Sequence, residues 1–120
     1  MDKKNQLRPP QAQIDSVIAL YSNGQIQEAL DAVETLTKDY PNESLLYNIS
    51  GACYKQIGQL EEAFKSFQKA VALKPDYAEA HNNFGATLRE LDQLDAAVKC
   101  YEKALALKPD YADAYANRGN

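Results

Sequence analysis

The apolar residues of this chain recur at the three- and four-residue spacing of amphipathic helices, with polar residues between them. Residues 47–54 and 60–71 show this spacing most clearly. Gly58 separates the two stretches and Pro75 follows the second, and both residue types readily end a helix. The pattern predicts two antiparallel helices joined by a short turn, which is a helical hairpin.

The hairpin pattern returns every 34 residues. Equivalent positions hold glycine at 51, 85 and 119, alanine at 29, 63 and 97, and proline at 41, 75 and 109. The units run over 10–43, 44–77, 78–111 and 112–120, and we expect residues 1–9 to form a poorly ordered amino tail. A period of this length is typical of stacked helical arrays. The sequence therefore predicts an all-α fold, an α-solenoid of antiparallel helix hairpins with three full repeats and the start of a fourth.

Glycine in the middle of the predicted first helices needs a physical reason, because it costs about 1 kcal/mol relative to alanine there. The residues concerned are Gly51, Gly85 and Gly119. We expect the second helix of each hairpin to approach its first helix closely at these points, leaving no room for a side chain.

The two kinds of loop carry different signals. Within the hairpins, Gly24, Gly58 and Asp92 occupy equivalent positions, and we expect a left-handed backbone there, which is strained for Asp92. Between the hairpins, a proline is followed by Asn42, Asp76 or Asp110. We expect these three side chains to cap the next helix.

Charge narrows the classes of partner. The net charge is −4 and the pI is about 4.9. An acidic surface gains nothing from phosphate or anionic lipid, so we expect no nucleic-acid partner and no membrane partner. The amino end lacks the apolar core of a secretory signal, and no apolar run is long enough to cross a bilayer. A cytoplasmic location is therefore expected.

The sequence contains no recognisable catalytic or metal-binding group. One histidine and two cysteines are too few for a zinc site, and Cys53 and Cys100 occupy different positions of their repeats, so we expect both to be reduced. His81 has no acid or nucleophile spaced to make it a base, and we expect it to pack between hairpins. We expect no cofactor, no metal, no catalytic residue and no enzyme activity.

The second unit resembles the tetratricopeptide repeat, which it matches at Tyr47, Gly51, Tyr54, Ala63, Phe67, Ala70 and Pro75. The third unit follows at His81, Gly85, Leu88, Ala97, Tyr101, Ala104 and Pro109. The first departs from the pattern, with Val17 in the glycine position and Val33 in the aromatic position. The resemblance implies a right-handed superhelix whose first helices line a concave groove for extended or helical peptides.

The side chains that the first helices turn into this groove change in character along the array. The start is apolar, with Ile14, Ile18, Tyr21, Leu45 and Ile49. The continuation is polar, with Asn48, Lys55, Asn82, Asn83, Arg89 and Asn117. We expect the polar set to bind peptide. The apolar set is expected to form a contact surface, which folds under residues 1–9, binds an apolar ligand segment or meets another copy of the chain.

The segments AHNNFG and AYANRG resemble the asparagine ladder of the repeat arms that feed substrates to O-linked N-acetylglucosamine transferases and their bacterial relatives. An amide is both donor and acceptor, so spaced asparagines can bond a peptide backbone without reading its sequence; a plain solvated helix face is the alternative. Lys55 and Arg89, one repeat apart, either attract an acidic segment or are ordinary surface charge.

A second tetratricopeptide group, the chaperone co-factors, grips the terminal carboxylate of its ligand with Lys and Arg from successive first helices. The corresponding positions here hold isoleucine, alanine, asparagine or acids. We therefore do not expect docking of chaperone tails.

The interpretation we favour is a scaffold that binds peptide or protein segments in the groove. Two alternatives stay open. In one, the chain is the substrate-docking arm of a larger enzyme of the glycosyl- or sulfotransferase type, whose catalytic domain lies beyond Asn120. In the other, it is a homo-oligomerisation module that associates through the first helix or the carboxy end. Because the fourth unit stops after nine residues, we expect the sequence to be the amino-terminal part of a longer protein.

Overall fold

The computed structural model describes residues 8–118, and within this range it contains seven α-helices and no strand. The helices are α1 (Gln11–Ser22), α2 (Ile26–Asp39), α3 (Ser44–Gln56), α4 (Leu60–Leu73), α5 (Ala78–Glu90), α6 (Leu94–Leu107) and α7 (Ala112–Arg118). The predicted all-α fold is confirmed.

The helices stack in chain order. Each helix packs against the next, and contacts between α3 and α5 and between α5 and α7 skip one helix. The first helices of successive hairpins therefore form one layer and the second helices form the other, as in a solenoid. This layer of first helices, α1, α3, α5 and α7, carries the candidate site.

The turns inside the hairpins have the predicted backbone. Gly24 and Gly58 have φ of 82° and 81°, and Asp92 has φ of 64°. The Gln93 N–H donates to the Leu88 carbonyl at 2.8 Å and the Asp92 N–H to the Arg89 carbonyl at 3.0 Å, and the other two turns repeat this pair of bonds. The pair is the Schellman arrangement, which satisfies carbonyls at the end of the first helix.

Asp92→Gly is expected to raise the free energy of unfolding by about 0.5 kcal/mol, because glycine accepts a positive φ without the steric cost that a Cβ brings. Glu102→Gly serves as the control, since Glu102 is exposed in the middle of α6 and its replacement should cost about 1 kcal/mol. Urea denaturation of both variants measures the difference. A loss of stability in Asp92→Gly would show that the Asp92 side chain stabilises the turn.

The glycines in the middle of the first helices lie against aromatic rings of the second helices. A Cβ on Gly51 would lie 2.6 Å from Phe67 Cε1, and one on Gly85 would lie 2.8 Å from Tyr101 Cε1. Both rings are almost fully buried. The predicted close approach is confirmed at these two positions, and the third, Gly119, lies outside the described residues.

The first unit solves the same packing problem with two valines. Val17 takes the glycine position and Val33 the aromatic position, and both are buried in one core cluster. Each pair, Val17 with Val33 and Gly51 with Phe67, is separated by the same number of residues along the chain. The first unit thus has a valine on each helix, where the second unit has no side chain on the first helix and a phenylalanine ring on the second. The total side-chain volume between the two helices is therefore similar.

The expectation of side-chain caps between the hairpins is wrong where the structure tests it. α3 and α5 have Glu43 and Tyr77 at their N-cap positions, with no side-chain cap hydrogen bond. Asn42 and Asp76 instead follow proline inside turns closed by a backbone bond, as in the 3.2 Å bond from the Tyr77 N–H to the Lys74 carbonyl. Proline favours the second position of such a turn, so Asn42 and Asp76 take the third position. Each therefore lies one residue before the N-cap of the next helix.

The expected amino tail falls mostly outside the described residues, which begin at Arg8. Within that range, Arg8 Nε lies 3.4 Å from Glu43 Oε1, and Pro9 is buried. Arg8 therefore contacts the first repeat.

Candidate functional site

Two adjoining cavities lie along the layer of first helices. The first, which we call the apolar pocket, has a volume of about 270 Å³ and is lined by Ile18, Tyr21, Ile49, Ala52 and Asn83. The second, the polar cleft, has a volume of about 400 Å³ and is lined by Tyr21, Ala52, Lys55, Gln56, Phe67, Asn82, Asn83, Ala86, Arg89, Glu90 and Asn117. Because the two share three lining residues, they form one continuous groove that crosses four repeat units.

The predicted apolar contact surface is only partly correct. Ile18, Tyr21 and Ile49 line the apolar pocket, and Ile18 is 44% exposed. Leu45 is half-buried, one turn before Ile49 on α3. Ile14 is 2% exposed and belongs to the core, so its assignment to the surface is wrong.

The reason for the error lies in the geometry of α1. Ile14 and Val17 are three residues apart on one face of the helix, and both are buried against the rest of the array. Val17 and Ile18 lie on opposite sides of Ile14, about 60° and about 40° around the helix, so Ile18 is at the edge of the buried face and is 44% exposed. Sequence spacing placed Ile14 and Ile18 together, whereas the packing of α1 in the array buries Ile14 and leaves Ile18 exposed.

The predicted polar set does converge. Lys55, Asn82, Asn83, Arg89 and Asn117 line the polar cleft. Asn48 is the exception, because it lines neither cavity but is half-buried beside Asn83.

Hydrogen bonds join the asparagines of neighbouring units. Asn83 Nδ2 donates to Asn48 Oδ1 at 3.0 Å, and Asn117 Nδ2 donates to Asn82 Oδ1 at 3.1 Å. Asn48 Nδ2 in turn donates to the Tyr77 hydroxyl at 3.3 Å. These amides therefore help to hold the repeats together. Each amide has more hydrogen-bonding capacity than one such bond uses, so Asn83 and Asn117 retain capacity at the cleft surface.

The two cations of the cleft have different partners. Lys55 Nζ lies 3.0 Å from Glu90 Oε1, across neighbouring units. Arg89 Nη1 donates to the backbone carbonyl of Asn117 at 2.9 Å, which is a neutral acceptor. The charge of Lys55 is thus balanced by a carboxylate, while Arg89 has no carboxylate partner among residues 8–118.

The repeat signature carries the family assignment. The family model for the TPR repeat matches residues 51–91 and 85–120, which together cover more than half of the chain. The chain belongs to the TPR repeat family. No match was found among curated proteins.

Solved TPR structures share this fold. The first TPR of Spaghetti (RPAP3), bound to the HSP90 peptide SRMEEVD, superposes with a TM-score of 0.86 at 23% identity, over 98% of this chain and 90% of that one. The second TPR domain of human RPAP3, in complex with the HSP70 peptide SGPTIEEVD, gives 0.83 at 23% identity, over 88% of each chain. The Arabidopsis OM64 TPR domain gives 0.85 at 18% identity, over 90% and 89%. At these identities the likeness concerns the fold.

Tyrosines at the junctions between TPR units contact the asparagines of the candidate site, which sequence reasoning did not predict. Tyr77 accepts the bond from Asn48, and burial raises the pKa of its hydroxyl. Tyr111 is the equivalent residue one repeat later, and burial raises its pKa too. The 34-residue spacing of the two tyrosines was the available signal, but it does not show that their hydroxyls bond Asn48 and Asn82.

His81 contacts the loop between the second and third hairpins, and its packing between hairpins stays a prediction. Its Nε2 lies 2.8 Å from the Pro75 carbonyl, and in the preceding TPR unit the Tyr47 hydroxyl donates to the Pro41 carbonyl at 2.7 Å. Histidine thus replaces tyrosine in the same contact. The two cysteines are free thiols, Cys53 buried and Cys100 half-buried. Among residues 8–118, no helix is long and apolar enough to cross a membrane.

Alkaline pH is expected to weaken the contact between the first two TPR units. The Tyr54 hydroxyl donates to Glu34 Oε2 at 2.7 Å, and this bond, with burial, raises the pKa of Tyr54 from 10.0 to about 12. Burial and the Glu34 charge raise the pKa of Cys53 from 9.0 to about 11. In that interval the folded chain keeps protons that the unfolded chain has lost, so the free energy of unfolding holds up to about pH 9 and then falls toward pH 12.

Urea midpoints measured from pH 8 to pH 11.5 test this expectation. Tyr54→Phe should be less stable at pH 8, because it lacks the bond to Glu34, and should lose less stability above pH 10 than the parent chain. Equal losses above pH 10 in the two proteins would contradict the assignment to Tyr54.

Proposed function

We propose that this chain binds extended peptide segments of other proteins in the groove formed by the apolar pocket and the polar cleft, and that it acts as an interaction scaffold. The observation that carries the proposal is the convergence of Asn83 and Asn117, one repeat apart, on a single continuous groove. The peptide complexes of the structurally similar RPAP3 domains support binding of this general kind.

The asparagines suit a ligand backbone. Asn83 and Asn117 are separated by one repeat, and each presents an amide with remaining donor and acceptor capacity. An extended peptide offers a carbonyl or an N–H at every residue, so two such amides fix its path without specifying its side chains. Asn82 is 6% exposed and accepts from Asn117, so it serves to position Asn117.

Self-association is a second use of the exposed apolar side chains. Leu94 and Val98 lie one turn apart on α6 and are 54% and 38% exposed, and Tyr115 on α7 is 44% exposed. These side chains lie on helices of the last two units, whereas Ile18 lies on α1. The groove ligand and a second copy therefore have separate candidate surfaces.

Asn83→Ala and Asn48→Ala form a matched pair that tests the proposed function. Both variants remove the 3.0 Å bond between units, so each should lose about 1 kcal/mol of stability. Only Asn83 lines the groove. Asn83→Ala should therefore weaken peptide binding about fivefold, which corresponds to about 1 kcal/mol, while Asn48→Ala should bind as the parent does.

The measurement uses peptides selected from a random ten-residue library displayed with Ser–Gly linkers on both sides, and titrates each variant with the best of them. Failure to select any peptide would contradict the proposed function. Equal weakening in both variants would show that the asparagines act on the array and not on the ligand.

A further inference from the structure

The groove has two chemically different ends that one ligand contacts together. Tyr21, Ala52 and Asn83 line both the apolar pocket and the polar cleft, so no wall separates the two spaces. An extended peptide that passes over Asn83 therefore has one part at the apolar pocket and another at the far side of the cleft.

The apolar end is built by α1 and α3. Ile18 is 44% exposed, and Ile49 and Ala52 are half-buried beside it. Water in contact with these side chains is displaced favourably by an apolar group. A pocket of about 270 Å³ has room for one large aliphatic or aromatic side chain.

The other end carries one unbalanced positive charge. Among the described residues, Lys55, Arg89 and Glu90 are the charged residues that line the cleft. Lys55 and Glu90 pair at 3.0 Å, whereas Arg89 donates to the neutral Asn117 carbonyl. A guanidinium has five N–H donors, so Arg89 keeps donors for a ligand. The groove is thus locally positive on a chain whose net charge is −4, and it complements a carboxylate.

The separation of the two ends sets the spacing in the ligand. Asn83, at the edge of the apolar pocket, and Arg89 are six residues apart on α5, a rise of about 9 Å along the helix. An extended peptide advances about 3.3 Å per residue, so this distance corresponds to about three residues. Asn117 lies beside Arg89, whose Nη1 donates to its carbonyl, so the Asn117 amide meets ligand backbone at the same point. A residue with a side-chain carboxylate keeps a backbone carbonyl for that amide, whereas a terminal residue does not, and we therefore assign the acid to a side chain.

We propose that the groove selects an internal peptide segment with one large apolar side chain and, about three residues away, an Asp or Glu side chain. Ile18, Ile49 and Ala52 receive the apolar side chain, and Arg89 receives the carboxylate. This inference rests on the proposed function and adds to it the chemistry of the ligand.

The test repeats the selection from the linker-flanked random library on the full chain and on Arg89→Gln, Arg89→Lys and Arg118→Gln. Peptides selected by the parent should contain the spaced apolar and acidic pair at least fivefold above its frequency in the library. Arg89→Gln should lose the acidic preference and keep the apolar one, and Arg89→Lys should retain both. Arg118→Gln is the matched control, because the Arg118 guanidinium lies over the Tyr115 ring, 5.9 Å from its centroid, and lines neither cavity.

Selected peptides without an acid, or an acidic preference that Arg89→Gln does not change, would overturn this inference and leave the proposed function standing. So would peptides that bind the parent only when their carboxyl terminus is free, which a synthetic pair with free and amidated ends reveals. Selection of no peptide by the parent would overturn both. Sedimentation of the chain and of Ile18→Ser adds a further arm: a dimer that dissociates in the variant would place a second copy in the pocket and overturn the inference, whereas an unchanged mass leaves the pocket to the peptide.

Discussion

Gly51→Val is expected to lower the free energy of unfolding by about 3 kcal/mol. The first atom of the new side chain would lie 2.6 to 2.8 Å from three carbons of the Phe67 ring, which is closer than van der Waals contact allows. Phe67 is fully buried and cannot move aside without disturbing its neighbours. Overpacking of this kind costs about 1–3 kcal/mol, and the rigid branched side chain places the value at the upper end.

The double variant Gly51→Val with Phe67→Val should recover most of that loss. It copies Val17 and Val33, the buried pair that the first unit uses at the same two positions. Phe67→Val alone should cost about 2–3 kcal/mol, because it leaves a cavity beside Gly51. Urea denaturation of the four proteins gives the coupling energy, which should favour the double variant by at least 2 kcal/mol. If the double variant lost as much stability as the two single variants together, the exchange of volume between the two helices would be contradicted.

Ile14→Ser should mainly lower the stability of the fold, and Ile18→Ser should mainly lower the affinity for peptide. Ile14 is 2% exposed, so its replacement removes a buried aliphatic side chain and leaves a hydroxyl in the core, at a cost of about 3–4 kcal/mol. Ile18 is 44% exposed and lines the apolar pocket, so its replacement should change stability by less than about 1 kcal/mol. Ile18→Ser should instead weaken the selected peptide about tenfold, because the pocket loses apolar surface.

Thermal denaturation and peptide titration of the two variants provide the comparison. Ala19→Ser is the control for a new hydroxyl on α1, since Ala19 is exposed and lines neither cavity. A large loss of stability in Ile18→Ser would mean that Ile18 belongs to the core, and unchanged affinity in that variant would remove the pocket from the binding site.

The sequence predicts the features that each repeat determines locally. The positive φ at Gly24, Gly58 and Asp92 follows from their recurrence at the hairpin turn, and the close approach of the two helices at Gly51 follows from a glycine that local propensity does not explain. Such features depend on the residues of one hairpin. Because the hairpin recurs every 34 residues, the same signal appears several times in the sequence.

The features that the sequence does not reveal depend on neighbouring units. Ile14 and Ile18 look equivalent on an isolated helix, and only the packing of α1 in the folded array assigns the first to the core. The bond from Asn83 to Asn48 and the pair of Lys55 with Glu90 join residues 35 apart, so they require the stacking angle between hairpins. The sequence therefore indicated several of the residues that line the candidate groove, such as Asn83 and Arg89, but not which of them are already bonded to neighbouring units.

The central claim is that the layer of first helices is where this chain binds its ligand, and a titration followed by nuclear magnetic resonance tests it most directly. With the ¹⁵N-labelled chain and a selected peptide, the largest shifts should fall on the side-chain amides of Asn83 and Asn117 and on the backbone amides of Ala52 and Ala86, all of which line the groove. Shifts confined to exposed residues of the second helices, such as Lys69 and Lys103, would contradict the account.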